Sequence, residues 1–306
     1  MLLRFAADEF LDEKELQNLA EWSVNHYRKY LDEFMKFCEE NEVLNVQDVK
    51  PNLIKSFLSY CKKERKNAPA TLNTKLKHLK VFFNYLEKED IIDPKNNPIK
   101  DIKPIKFKSQ KKPFSDYHIR QMLNYYKRSI KRRNSFTNLR NYVLLLYLLG
   151  TGARLNEFRN AKWEDIDFEK GTIYIYGKRD KAVTLPLTQK LQKEIAYYKS
   201  YCKQYFGEVS EFIFVDKNNK QLSKYGAQSI FKRLNEAMNF KDLSVNCHRF
   251  RHTFAINLVK QGCDAFTLQC LLRHEDISIS KNYVNIYGTN LKEQNEKYNP
   301  LNHLDI

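Results

Sequence analysis

Between residues 93 and 113 the chain cannot stay helical. Pro94, Pro98, Pro104 and Pro113 each remove a backbone donor and push the residue before them into extended backbone. From Pro98 to Pro113 the chain carries Lys100, Lys103, Lys106, Lys108, Lys111 and Lys112 against a single acid, Asp101. A chain broken this way folds as two bodies: residues 1–98 as one domain, 99–113 as a basic linker and 114–306 as a second domain. On the linker alone, a strap that follows a phosphate backbone and a solvated tether fit equally well.

The two sides differ in period. In the first domain Tyr27, Tyr30, Leu31, Phe34, Phe37 and Cys38 recur at helical spacing after a capping Ser23. A second helix is expected over residues 53–64, opened by Pro51. A third puts Leu72, Leu76, Leu79, Phe83 and Leu86 on one stripe, with Lys75, Lys77, His78 and Lys80 away from it. In the second domain a helix start lies at Phe114, Ser115 and Asp116, and an apolar helix spans residues 142–149. Near Gly171 the period drops to two: residues 172–176 and 182–187 are candidate strands joined by a tip at 177–181. Helices then return. The fold class expected is mainly α, with a small antiparallel β-sheet in the second domain.

With 53 Lys and Arg against 37 Asp and Glu, the formal net charge is +16, which calls for a polyanionic partner. A lysine-rich proteome with basic surface helices is the bland alternative, and charge by itself supports only sequence-independent phosphate binding. The longest apolar run, residues 143–149, is too short to span a bilayer, and Asp8, Glu9, Asp12 and Glu13 precede any long apolar segment. No membrane role and no secretory signal are expected. Six cysteines without a CxxC pair fit reduced thiols in the cytoplasm. Cys247 adjoins His248 but has no second pair at ligand spacing, so neither a metal nor a cofactor is expected.

Five short pieces carry the chemistry. A helix starting near His248 puts His248 and Arg251 on one face, backed by Phe250 and Phe254; alone, this HxxR piece fits a structural helix as well as an anion site. Arg154 follows Gly150-Thr151-Gly152, a turn that throws it into a cleft or leaves it paired with Glu157 along the next helix. Lys178 sits in the strand tip, where a rigid hairpin either presents a proton donor to a leaving oxygen or leaves the lysine solvated, with Lys181 a local competitor. His274 closes the piece Leu271-Leu272-Arg273-His274. Tyr283 is one tyrosine among nineteen and signals little by itself. Taken in order, however, two arginines, two histidines and a tyrosine are what a metal-free attack on a phosphodiester requires. The cations favour the phenolate and neutralise charge building at phosphorus.

The pieces TGARLNE, YGKRDK, HRFRHTFA, LLRH and KNY, in this order, resemble the tyrosine recombinases and most of all the two-domain Xer type. The resemblance covers nearly the whole chain: a helical core-binding domain, then a catalytic domain from about residue 114. It implies a two-domain DNA clamp in which Arg154 and Arg251 hold the scissile phosphate, His248 assists proton transfer from the nucleophile and His274 hydrogen-bonds the phosphate. Lys178 would protonate the leaving 5′-oxygen, and Tyr283 would form a 3′-phosphotyrosyl link. It further implies double-stranded DNA with specific recombination sites and a homotetramer on a Holliday junction, with or without a second recombinase or accessory protein. The C-terminal tail from Leu291, with Leu301 and Leu304, would dock on a neighbouring subunit. Lys75, Lys77 and Lys80 on the third helix, and Lys106 and Lys108 in the linker, are the expected DNA contacts.

Arg273 stands where glycine is common, Asn285 where many members have histidine, and Ala153 where a larger aliphatic residue is usual. The arm-binding module of lambda-type integrases is not expected. Two other functions stay open: a type IB topoisomerase, and a non-catalytic DNA-binding protein that keeps the fold.

Overall fold

The computed structural model describes residues 1–107, 112–133, 135–176, 182–241 and 243–287. Lys108, Lys178 and the tail residues Leu291, Leu301 and Leu304 lie outside the described residues. Two compact units divide the chain, Met1–Gln110 and Lys111–Ile306. No helix among the described residues is long and apolar enough to cross a membrane.

The first unit is a four-helix bundle: α1 (Leu3–Leu16), α2 (Glu21–Glu40), α3 (Pro51–Lys63) and α4 (Pro69–Lys88). The α1 helix, which is not among those expected above, buries Leu3, Ala6, Ala7, Phe10 and Leu11, one stripe at helical spacing. In α2 the cap is Ala20, and Ser23 lies inside the first turn. Phe10 meets Tyr27, Phe82 and Tyr85 edge to face at 5.3–5.5 Å, tying α1 to α2 and α4.

Two expectations for this unit are corrected. Lys75 is only 4% exposed: it shares the buried stripe with Leu72, Leu76 and Leu79. Its ammonium pairs with Glu33, which also holds Arg65, and lies 5.7 Å from the rings of Tyr30 and Phe57. It therefore belongs to the core and not to a DNA-facing surface; Lys77 is exposed and Lys80 half-buried. The linker also starts later than residue 99. Ile99 and Ile102 are buried in the bundle core, and Asn73 grips Ile105 by donating to its carbonyl (2.9 Å) and accepting its N–H (2.8 Å). Lys106, just beyond that anchor, is exposed.

The second unit contains α5 (Asp116–Arg133), α6 (Phe136–Thr151), α7 (Leu155–Asn160), β1 (Ile166–Asp167), β2 (Thr172–Tyr176), β3 (Ala182–Pro186), α8 (Gln189–Phe206), α9 (Lys224–Met238), α10 (Cys247–Lys260), α11 (Ala265–Leu272) and α12 (Ile277–Tyr287). The sheet is antiparallel in the order β1-β2-β3, with Ile173 opposite Leu185 and Ile175 opposite Val183. Ile173 and Ile175 point into the core while Tyr174 and Tyr176 face solvent, the alternation that a half-buried strand requires. β1 is an addition to the two strands expected.

Apolar on most of its circumference, α6 runs through the centre of this unit, and Gly152 ends it in the left-handed conformation (φ 60°). A Cβ at residue 152 would lie 2.5 Å from Phe254 of α10, so a closely approached glycine sets how α6 meets α10. A smaller cluster joins the last three helices: Ala255, Val259, Leu268 and Leu272, with Phe254, Tyr283 and Tyr287 packed against them.

Candidate active site

The turn after α6, the first turn of α7, the second turn of α10, the end of α11 and the middle of α12 meet at one place. Arg154 caps α7. Its guanidinium donates to Glu157 Oε1 (2.6 Å) and to the carbonyl of Arg273 (3.1 Å), while its backbone N–H donates to Glu157 Oε2 (2.7 Å). With its side chain 39% exposed, Arg154 is paired with Glu157 and partly open to solvent.

Arg251, in the second turn of α10, is buried. One nitrogen donates to the Gly152 carbonyl at 2.8 Å and another to the Leu272 carbonyl, bridging the end of α6 to the end of α11. Burial, with Arg154 and Arg273 nearby, pushes its pKa down to about 9 against the pull of Glu157, so it remains a cation at neutral pH.

Arg273 is the surprise of the site. It occupies the left-handed cap of α11 (φ 55°), a conformation that favours glycine and costs another residue roughly 1 kcal/mol. Its side chain is 3% exposed and turns inward to Glu157 (2.7 Å) and to the carbonyl of Leu271 (2.8 Å). Glu157 thus lies among three guanidinium groups, with Arg251 4.0 Å away. Burial alone would raise its carboxyl; Arg273, followed by the hydrogen bonds from Arg154, holds it below the usual carboxylate range.

His274 follows Arg273. Its Nδ1 meets Ser280 Oγ at 2.8 Å, a fully buried hydroxyl on α12, and its ring is stacked with Tyr283 at 6.4 Å and 10°. Burial and the neighbouring guanidinium groups push His274 down to about 4, so it is neutral at pH 7. The half-buried Tyr283 hydroxyl lies 3.1 Å from Nδ1 of His252. Burial raises its pKa, with the charge of Arg251 acting against that rise.

Arg154, Arg251, His274 and Tyr283 are therefore brought together. His248 heads α10 and is exposed, one turn before His252; Lys178 lies outside the described residues. Sequence reasoning missed His252 and Ser280, and it missed the inward turn of Arg273. His252 carried a signal: four residues after His248, it falls on the same helix face. The profile of the phage integrase family matches residues 114–289, and that of the phage integrase N-terminal SAM-like domain matches residues 7–93. The chain belongs to the phage integrase family. Among tyrosine recombinases, the XerC protein of Pediococcus pentosaceus is 27% identical over 292 residues, covering 92% of this chain and 93% of that one. The Tn1549 transposon integrase, solved with transposon right end DNA, has a TM-score of 0.77 at 17% identity and covers 97% of this chain and 99% of its own. A lambda integrase tetramer bound to a Holliday junction has a TM-score of 0.71 at 17% identity, covering 91% of this chain and 79% of that one. Among its described residues, this integrase-family member is mostly helical with a small antiparallel sheet.

Proposed function

We propose that this tyrosine recombinase cleaves and rejoins duplex DNA at specific sites through Tyr283. The approach of the Tyr283 ring to His274, with its phenol held by the residue next to Arg251, is the observation that carries the reading. One phenol, one neutral imidazole and two arginines then share a space whose fixed donors need little reorganisation. Arg154 and Arg251 take the non-bridging oxygens of the scissile phosphate. With Ser280 on Nδ1, His274 keeps Nε2 for a phosphate oxygen. The phenol oxygen attacks phosphorus and loses its proton, the bond to the 5′-oxygen breaks, and Lys178 protonates that oxygen. The resulting 3′-phosphotyrosyl bond stores what a partner strand's 5′-hydroxyl needs for rejoining.

Both units would contact the duplex in the cytoplasm, with Lys77, Lys80, Lys106 and Lys108 on its phosphates and Lys75 excluded. Four protomers exchanging strands through a Holliday junction follow the lambda precedent, and the C-terminal tail from Leu291 is the proposed subunit contact. The test is a denaturation-resistant protein–DNA adduct on a plasmid carrying the DNA that flanks the gene. The adduct is expected with the wild-type chain and absent with Tyr283→Phe. An adduct that survives that substitution, or wild-type relaxation of plasmids regardless of their sequence, refutes the proposal.

A further inference from the structure

HRFRHTFA contains two histidines one helical turn apart, and only the first was expected to act on the nucleophile. The phenol of Tyr283 is met by the second. His252 Nδ1 lies 3.1 Å from the Tyr283 oxygen, within the reach a general base needs, with ring centroids 5.3 Å apart and tilted by 51°. The Tyr283 ring packs with Val284 and Tyr287 against the apolar cluster of α10 and α11, which fixes where its oxygen ends. The His274 ring lies parallel to the Tyr283 ring, with its own Nδ1 engaged by Ser280.

We infer that His252 is a further catalytic residue of this enzyme, the group that aims the Tyr283 phenol and accepts its proton as the oxygen attacks phosphorus. This rests on Tyr283 being the nucleophile. The phenol O–H donates to Nδ1, with Nε2 carrying the imidazole proton. As the O–P bond forms, the O–H pair stays on oxygen, the proton passes to Nδ1, and His252 becomes an imidazolium one residue from Arg251. Rejoining reverses the transfer: the imidazolium returns its proton to the departing phenolate. A half-buried tyrosine beside one partly offsetting cation is a weak nucleophile unaided, and the neighbouring base supplies what burial withholds.

A probe without DNA separates this claim from recombination itself. Phenylmethanesulfonyl fluoride sulfonylates phenols: the tyrosine oxygen bonds to sulfur, fluoride leaves, and the phenol proton needs an acceptor. Half-buried Tyr283 should be labelled at least tenfold faster than Tyr225, which is 82% exposed and serves as the internal reference. His252→Ala should lower the Tyr283 rate about a hundredfold and leave Tyr225 unchanged. His252→Asn keeps a hydrogen-bond acceptor but takes up no proton, and should stay as slow as alanine; it also replaces the alanine variant if that one does not fold. Labelling of Tyr283 no faster than Tyr225, or wild-type rates in the asparagine variant, overturns the assignment. Correct labelling with no DNA adduct at Tyr283 leaves the proton transfer standing and removes the recombinase reading.

Discussion

Replacing Glu157 by glutamine tests whether one carboxylate holds the site together. Its oxygens lie 2.6 Å from Arg154, 2.7 Å from Arg273 and 4.0 Å from Arg251. Glu157, Arg273 and Arg251 have side chains no more than 6% exposed. Glutamine keeps an acceptor but removes the charge, leaving two buried guanidinium groups and one half-exposed group facing each other. Each lost attraction at 4 Å is about 4 kcal/mol at an effective dielectric of 20, before the compensating gain from desolvation is counted. Breaking a buried pair by removing one partner typically costs about 3–5 kcal/mol. The remaining acceptor and the partial exposure of Arg154 favour the lower end, so the second unit should lose about 3 kcal/mol.

Tryptophan fluorescence in urea at pH 7 follows this loss. Trp163 is 8% exposed inside the second unit, whereas Trp22 is already 64% exposed and changes little on unfolding. With a slope of about 2 kcal/mol per molar urea, the midpoint should fall by about 1.5 M. Sulfate should recover more stability in the variant than in the wild type, because an anion among the three arginines replaces the missing charge. A midpoint shift below about 0.5 M would mean that the arginines do not depend on Glu157 for their place in the site.

Three further outcomes follow from single contacts. Gly152→Ala forces a side chain onto a left-handed backbone and against Phe254, and should cost about 2–4 kcal/mol in the same urea assay; a loss under about 1 kcal/mol would show that α6 and α10 can separate freely. His274 has a folded pKa near 4, below its ordinary value of about 6.5, so the unfolded chain binds its proton first as pH falls. Stability is then full above about pH 6.5 and declines toward pH 4, by about 1–2 kcal/mol after allowing for half-burial; His274→Asn should flatten the slope between pH 7 and pH 5, and an unchanged slope sinks the assignment. In the first unit, Lys75→Ala should lower thermal stability because Glu33 loses a buried partner, while Lys77→Ala should leave stability alone and reduce the salt dependence of DNA binding by about one ion. Exchange of those two phenotypes would put Lys75 back on the DNA-facing surface.

The parts legible in the sequence are those in which the cause is local. Prolines between 93 and 113 break the helix wherever they fall, and the alternation at 172–176 puts Ile173 and Ile175 on one face whatever packs there. β1 escaped because its two residues are too short to show a period. Lys75 was misread for a different reason. Its position, between Leu72 and Leu79 on the buried stripe, was legible, but lysine is so seldom buried that residue type outweighed spacing, and Glu33 lies far away in the chain.

The side chains gathered at the candidate site were legible as a set, through the order and spacing of their pieces along the chain. Their pairings were not. Arg273 needs the left-handed end of α11 and a carboxylate from α7 before its inward turn makes sense. The choice between His248 and His252 turns on α12, because the two histidines share a helix face and differ by one turn. Val259, Leu268 and Leu272 dock α12 onto α10 and α11, and that docking, made of residues with no chemistry of their own, decides which imidazole meets the phenol. Substitutions in this apolar cluster should therefore move the Tyr283 phenol relative to the His252 imidazole without touching either, a dependence that no motif in the chain records.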